Sequence, residues 1–322
     1  MLMSLNLLDA YKKFLNYRQT YCEDSTVFNY SNTLRYFLDF MELHFSVPAN
    51  LIYVDSIKSD DITSYVCYLR KKKKNDNHPL TATSDCYITK RTVKTYLTDM
   101  RTFFNWLLQE NYIHPDNNPL KNFKMIKPEI KSILPINADE MRIIDDGYSQ
   151  STETGLRNLC IIHLFIDEGL RLNEVCKLKL SDVNFVNNCI IINGKGNKQR
   201  IVPMARIVRK YLDRYINIYR PDVCHEYILC NINNGPLTAD AIKSLFCRIV
   251  NRTGIERLHP HLLRHTFATS FILGGGSVEM LRIYMGHSDI KTTQNYLHIV
   301  NSIQFSQNVY RLDDIFFRRY FV

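Results

Sequence analysis

Apolar positions recur every three or four residues through the first third of the chain. Leu7, Leu8, Tyr11, Phe14 and Leu15 form one stripe, and Leu34, Phe37, Leu38 and Met41 form a second, with Ser25 and Thr26 ahead of it as candidate caps. Ile62, Tyr65, Val66 and Leu69 follow Asp60 and Asp61 as a third, and Val93, Leu97, Met100, Phe104 and Leu107 make a fourth. This spacing predicts four amphipathic helices forming a small bundle over residues 1–113.

The pattern then breaks. Residues 114–135 carry Pro115, Pro119, Pro128 and Pro135, together with Lys121, Lys124, Lys127 and Lys131. Proline stiffens such a segment and its polar residues leave little to bury, so it reads as an interdomain linker. Asn137 and Glu140 have the spacing of a capping box. Helical patterns follow at 137–146 and 156–168, Gly169 ends one, and Leu172 to Leu178 begins another. Cys189–Asn193 and Gln199–Val202 are β-rich runs on either side of Gly194-Lys195-Gly196-Asn197-Lys198, which predicts a hairpin. The remainder is helical, with breaks at Pro221, Asn234-Gly235-Pro236, Gly254 and Gly274-Gly275-Gly276. The expected fold is therefore mainly α with a small β-sheet. A helical bundle precedes a mixed α/β domain over 136–300, and a tail occupies 301–322.

Composition narrows the class. At 322 residues and 45% hydrophobic content the chain is long enough for two globular domains and too apolar to be disordered throughout. Its longest apolar run, Leu159 to Ile166, is far short of the roughly 20 residues of a membrane span and contains His163. No signal peptide is evident, because Leu5–Leu8 lacks a basic residue before it and meets Asp9 at once. Nine scattered cysteines without a CxxC pair read as reduced thiols, so the expected location is cytoplasmic.

The net charge of +9 is unevenly spread. Residues 1–57 are net −2, whereas 58–131 hold 14 basic against 8 acidic residues, and 132–322 hold 23 against 18. Arg70, Lys71, Lys72, Lys73 and Lys74 form an unbroken run, and Lys90, Arg91 and Lys94 form a second cluster. Basic residues in both halves and in the linker (Lys121, Lys124, Lys127) favour a long polyanion gripped from two sides.

Several polar residues in the second half sit where helix chemistry makes them costly or exposed, and although each alone could be structural, as a surface arginine, a hairpin-tip charge or a core histidine, they fit one task together. Arg171 follows a helix-ending glycine and has Glu174 three residues on. Lys195 sits at the expected hairpin tip. His261 and Arg264 share a helix face with His265 beside them, His287 follows Gly286, and Tyr296 lies nine residues later. The three histidines lack a carboxylate or cysteine at metal-ligand spacing, so no metal site is expected. Gly194-Lys195-Gly196 lacks the spacer and following helix of a phosphate loop, and no cofactor is expected. Two arginines, a lysine, two histidines and a tyrosine do suit metal-free attack on a phosphodiester. Guanidinium forks match nonbridging phosphate oxygens. A tyrosine nucleophile needs such cations, since forming phenolate at neutral pH costs roughly 4 kcal/mol.

In order, Gly169-Leu170-Arg171-Leu172-Asn173-Glu174, Gly194-Lys195-Gly196-Asn197-Lys198, His261-Leu262-Leu263-Arg264-His265, Gly286-His287-Ser288 and Tyr296-Leu297-His298 resemble the motifs of the tyrosine recombinase (phage integrase) family, particularly its Xer-type and transposon-integrase members. The resemblance covers about residues 134–300, and the N-terminal bundle is similar in length and position to the family's SAM-like core-binding domain. It implies a site-specific recombinase in which Tyr296 is the nucleophile of a 3′-phosphotyrosyl intermediate. Arg171 and Arg264 would clamp the scissile phosphate, His287 would assist them, Lys195 would be the general acid and His261 would aid proton transfer. It further implies a two-domain clamp on double-stranded DNA, working as a synaptic tetramer whose protomers dock through the apolar tail ending Ile315, Phe316, Phe317, Tyr320, Phe321 and Val322. Glu168 and Asn173 depart from the residues the family often has there. A non-catalytic DNA-binding protein on the same scaffold and a type IB topoisomerase-like enzyme are the alternatives. The target sequence, and whether the reaction is integration, excision or resolution, stay open, because base contacts cannot be picked out of one sequence.

Overall fold

A computed structural model describes residues 5–74, 85–127, 134–194, 199–287, 289–290, 293–294 and 296–297. The chain divides into two compact units, residues 1–130 and 131–322.

The first unit is built from α1 (Leu7–Gln19), α2 (Asp24–Phe45), α3 (Ser59–Lys71) and α4 (Lys90–Gln109). Each stripe read from the sequence becomes a buried face, and Phe14, Phe37, Tyr65, Phe103 and Phe104 are fully buried at the centre. Phe14 meets the rings of Tyr30, Phe103 and Trp106 edge-on, the arrangement aromatic quadrupoles prefer. Asn6 caps α1 by accepting from the Asp9 backbone N–H, and Thr89 caps α4 through Thr92. Helix α2 starts earlier than its candidate caps: Ser25 and Thr26 lie within its first turn and Glu23 is the N-cap residue.

The proline-rich segment corrects its reading as a linker from residue 114 onward. Leu120 is buried in the first unit's core, Phe123, Met125 and Ile126 pack against it, and Arg101 donates to the Phe123 carbonyl at 3.0 Å. Apolar residues spaced between the lysines hold residues 115–127 down, a pattern that proline and charge content conceal.

The second unit contains α5 (Ala138–Asp145), α6 (Glu153–Ile166), α7 (Leu172–Lys177), β1 (Val183–Asn184), β2 (Cys189–Asn193), β3 (Gln199–Pro203), α8 (Arg206–Arg214), α9 (Ala239–Thr253), α10 (Pro260–Leu273) and α11 (Val278–Met285). The expected hairpin strands pair antiparallel, with Ile191 opposite Ile201, and the short β1 adds a third strand beside β2. Asn137 and Glu140 form the capping box of α5. Helix α8 runs into a π-helical turn at Tyr215–Tyr219.

Helix α6 is buried along nearly its whole length and is the axis of this unit's core. Such burial strands His163, which is solved by acids on both sides: Nδ1 meets Asp167 and Nε2 meets Asp145 at 3.1 Å. Burial alone would lower its pKa, but the hydrogen bonds and charges of the two carboxylates raise it to about 9. The folded state therefore binds this proton more tightly than the unfolded chain. Its contribution is complete below about pH 6.5 and is lost as pH rises through about 9, a difference on the order of 3 kcal/mol. Melting midpoints of the wild type should fall over that window more steeply than those of His163→Gln; parallel curves would refute the charged triad.

The glycine run after α10 acquires a reason. Gly275 has φ +84°, and a Cβ on Gly276 would lie 2.2 Å from the Phe271 ring. Among the described residues, no helix is long and apolar enough to cross a membrane.

Candidate active site

The site forms where four chain segments of the second unit meet: the α6–α7 turn, strand β3, the face of α10 and the C-terminal end of α11. Gly169 turns the chain with φ +62° directly over Phe267, whose ring would lie 2.4 Å from any Cβ there. This sharp turn ends at Arg171, the N-cap residue of α7.

Glu174 organises the cluster. Its Oε2 accepts from the Arg171 backbone N–H at 2.7 Å, and its Oε1 from Arg171 Nη1 at 2.9 Å. Burial would raise the Glu174 pKa, but the guanidinium of Arg200, followed by the backbone and charge of Arg171, brings it down to about 2. Arg264 projects from the buried face of α10, only 3% exposed, and donates to the carbonyls of Gly169 and Met285. Burial and the neighbouring Arg171 lower it to about 10, so it stays charged at neutral pH.

The end of α11 is seated in three guanidiniums. Arg200 Nε donates to the Tyr284 carbonyl, Arg264 Nη2 to that of Met285 and Arg171 Nη2 to that of Gly286, each at 2.7 Å. These are orphan carbonyls of a helix C-terminus, where the helix dipole also favours cations. Gly286 takes φ +61°, and a Cβ on it would stand 3.0 Å from Arg200 and 3.2 Å from Arg171.

His287 follows this turn. Its Nε2 lies 3.3 Å from Arg264 Nη2, and its Nδ1 lies 2.9 Å from Thr293 Oγ1. An arginine can only donate, so Nε2 is the acceptor and Nδ1 carries the proton toward Thr293. Burial first, then Arg264, Arg171 and Arg200, lower the His287 pKa to about 4, so the ring is neutral at physiological pH.

Tyr296 is 7% exposed and packs with Phe267, Ala268, Leu281 and Met285. The His265 ring meets it edge-on with centroids 4.9 Å apart, and the His287 ring lies parallel to it at 6.5 Å. Burial raises the phenol pKa, while the charges of Arg264 and Arg171 pull the other way. His261 is exposed on the first turn of α10, its pKa lowered by partial burial and by Arg264.

Of the six residues picked from the sequence, Arg171, His261, Arg264 and His287 thus lie on or next to these segments and Tyr296 packs against α10 and α11, while Lys195 lies outside the described residues. Arg200 was missed. Its signal was an inverted strand pattern: Arg200 points inward on the same face of β3 as Val202, while Ile201 is 60% exposed. Glu168 is fully buried. Burial raises its pKa well above the carboxylate range, and Oε1 accepts from the Ala205 backbone at 2.8 Å. It braces the start of α8 and is not part of the cluster.

The basic residues of the first unit form one neighbourhood. Backbone bonds from Lys74 to Cys86 and from Ile88 to Lys72 lay the end of the 70–74 run beside the start of α4. Arg70, Lys71, Lys73, Lys74, Lys90, Arg91 and Lys94 are exposed, with Lys73 pairing to Asp85 at 3.1 Å. Lys72 corrects the expectation of a free DNA contact: it is buried, its ammonium 4.6 Å from the centre of the Tyr36 ring. Lys121, Lys124 and Lys127 are exposed, and Lys121 pairs with Asp116 at 2.9 Å.

Residues 136–302 match the phage integrase family. The chain belongs to that family. Tyrosine recombinase XerC of Staphylococcus carnosus is 31% identical over 216 residues, covering 65% of this chain and 71% of its relative. Tyrosine recombinase XerD of Listeria innocua is 27% identical over 283 residues, covering 85% and 88%. The Tn1549 transposon integrase, solved in complex with circular intermediate DNA, has a TM-score of 0.71 at 20% identity, covering 91% of this chain and 95% of that one. At that identity the likeness supports the fold. This chain is a tyrosine recombinase of the Xer type, an enzyme of site-specific recombination, and the non-catalytic and topoisomerase alternatives are not favoured.

Proposed function

We propose that this recombinase cuts and rejoins duplex DNA through a 3′-phosphotyrosyl link made by Tyr296. The observation that carries the reading is the joining of Arg171 and Arg264 to one helix end, with their charges acting on the Tyr296 hydroxyl. The guanidiniums neutralise the nonbridging oxygens of the scissile phosphate. Tyr296 Oη gives its proton to solvent with His261 assisting and attacks phosphorus, the P–O5′ bond breaks, and the leaving 5′ oxygen takes a proton from Lys195. His261 aids proton transfer, and His287, holding its proton on Nδ1, keeps Arg264 in place. Attack by the 5′ hydroxyl of a partner strand reverses the step. The covalent link conserves the phosphodiester energy, so neither ATP nor a metal is required.

The first unit supplies affinity. Its exposed basic residues meet backbone phosphates, which predicts a steep salt dependence of binding. The tail at 301–322 is proposed to join protomers into a tetramer on synapsed DNA.

Lys195→Ala tests the proton assignment together with the reaction class. On a nicked substrate in EDTA, wild type should accumulate protein–DNA adduct. The variant should do so about 10²-fold more slowly with unchanged DNA affinity. A 5′-bridging phosphorothiolate, whose sulfur leaves without a proton, should restore its rate. A variant as fast as wild type on the ordinary phosphate, or as slow on the thiolate, would refute the assignment.

A further inference from the structure

Arg200 is a cation in this cluster that no proposed step uses. It is an arginine facing inward from a strand, its side chain only 8% exposed, a costly position without full pairing. Each of its three nitrogens donates a hydrogen bond. Nη1 and Nη2 donate to the two oxygens of Glu174, each at 2.8 Å, and Nε donates to the Tyr284 carbonyl at 2.7 Å. The fork is therefore spent on protein groups and spans three elements, β3, α7 and α11.

Glu174 is saturated as a result. Each of its oxygens accepts one bond from Arg171 and one from Arg200, which fills the roughly four acceptor positions of a carboxylate. Arg264 Nη1 stands 4.0 Å from Oε2, just beyond bonding reach. Without Arg200, two acceptor positions open beside two arginines. The carboxylate then turns onto Arg171 and Arg264 and screens the charge meant for phosphate. The Tyr284 carbonyl also loses its partner, and the α11 end that carries His287 is released from β3.

We propose that Arg200 is a positioning residue for DNA cleavage, holding Glu174 and the end of α11 so that Arg171 and Arg264 present their charge to one phosphate. This rests on the cleavage reading above.

Single-turnover formation of the covalent adduct tests it, with Tyr296→Phe as the control. Arg200→Met should slow the step by roughly 10²-fold while DNA affinity stays within about threefold. Arg200→Lys should recover only part of the rate, since an ammonium restores charge but not the fork. Loss on Arg200→Met should persist on the 5′-bridging phosphorothiolate that rescues Lys195→Ala. Placing Glu174→Gln and Arg200→Met together should cost no more than the worse single variant, because one acts through the other. Wild-type rates in Arg200→Met, rescue by the thiolate, or losses that multiply in the pair would each overturn the proposal. If Arg200→Met is too unstable to assay, the Lys variant on both substrates decides. Adduct formation by Tyr296→Phe would instead overturn the cleavage reading itself.

Discussion

Tyr296→Phe is expected to abolish covalent attachment to DNA outright, with no measurable adduct on a nicked substrate, while the protein folds and binds as before. The ring of Tyr296 belongs to an apolar cluster with Phe267, Ala268, Leu281 and Met285, between the His265 edge and the His287 face. Phenylalanine keeps those contacts, so the stability change should stay below about 1 kcal/mol. Only the oxygen is lost. Forming phenolate costs about 4 kcal/mol at neutral pH for an ordinary tyrosine, and burial adds to that cost in the free protein. The charges of Arg264 and Arg171 oppose it, and a bound phosphate draws the same cations toward the reacting centre. Adduct formation by Tyr296→Phe, detected by denaturing electrophoresis, would place the nucleophile elsewhere.

Arg264→Lys should lower the single-turnover cleavage rate by about 10²–10³-fold, the usual effect of removing a preorganised donor from a developing anion. The charge is retained, so a loss of this size would come from geometry. The Arg264 fork joins the carbonyls of Gly169 and Met285 and touches His287, tying the turn before α7 to the end of α11. A lysine reaches one of these at most. A buried carbonyl left without a donor costs about 1–3 kcal/mol, so the melting midpoint should fall as well. Activity within tenfold of wild type would show that charge alone suffices.

Much of this was legible in the chain. Helical periodicity found all four helices of the first unit because each buries one face only. The hairpin strands were equally clear. Helix α6, apolar on all sides, was recognisable as a short apolar run, but its buried His163 gave no hint of the flanking Asp145 and Asp167, which lie 18 residues before it and four after it. The catalytic candidates stood out because their residue types are costly at those positions. Arg200 did not, because the eye follows Ile201 and Val202 in a β-rich run and overlooks which of them faces in. Residues 114–127 misled for the opposite reason: four apolar anchors were outvoted by prolines and lysines. Lys72 was hidden within a run whose other members are exposed, since only its place at the end of α3 turns it onto Tyr36.

The end of α11 has one more implication. The partners of the three arginines are main-chain oxygens, which every amino acid carries. Evolution can therefore vary the side chains at 284 and 285 to suit local packing without dismantling the charge arrangement. What the arrangement asks for there is the path of the backbone, and the demand on residue type falls on Gly286, whose φ of +61° strains any side chain and whose Cβ would crowd Arg200 and Arg171.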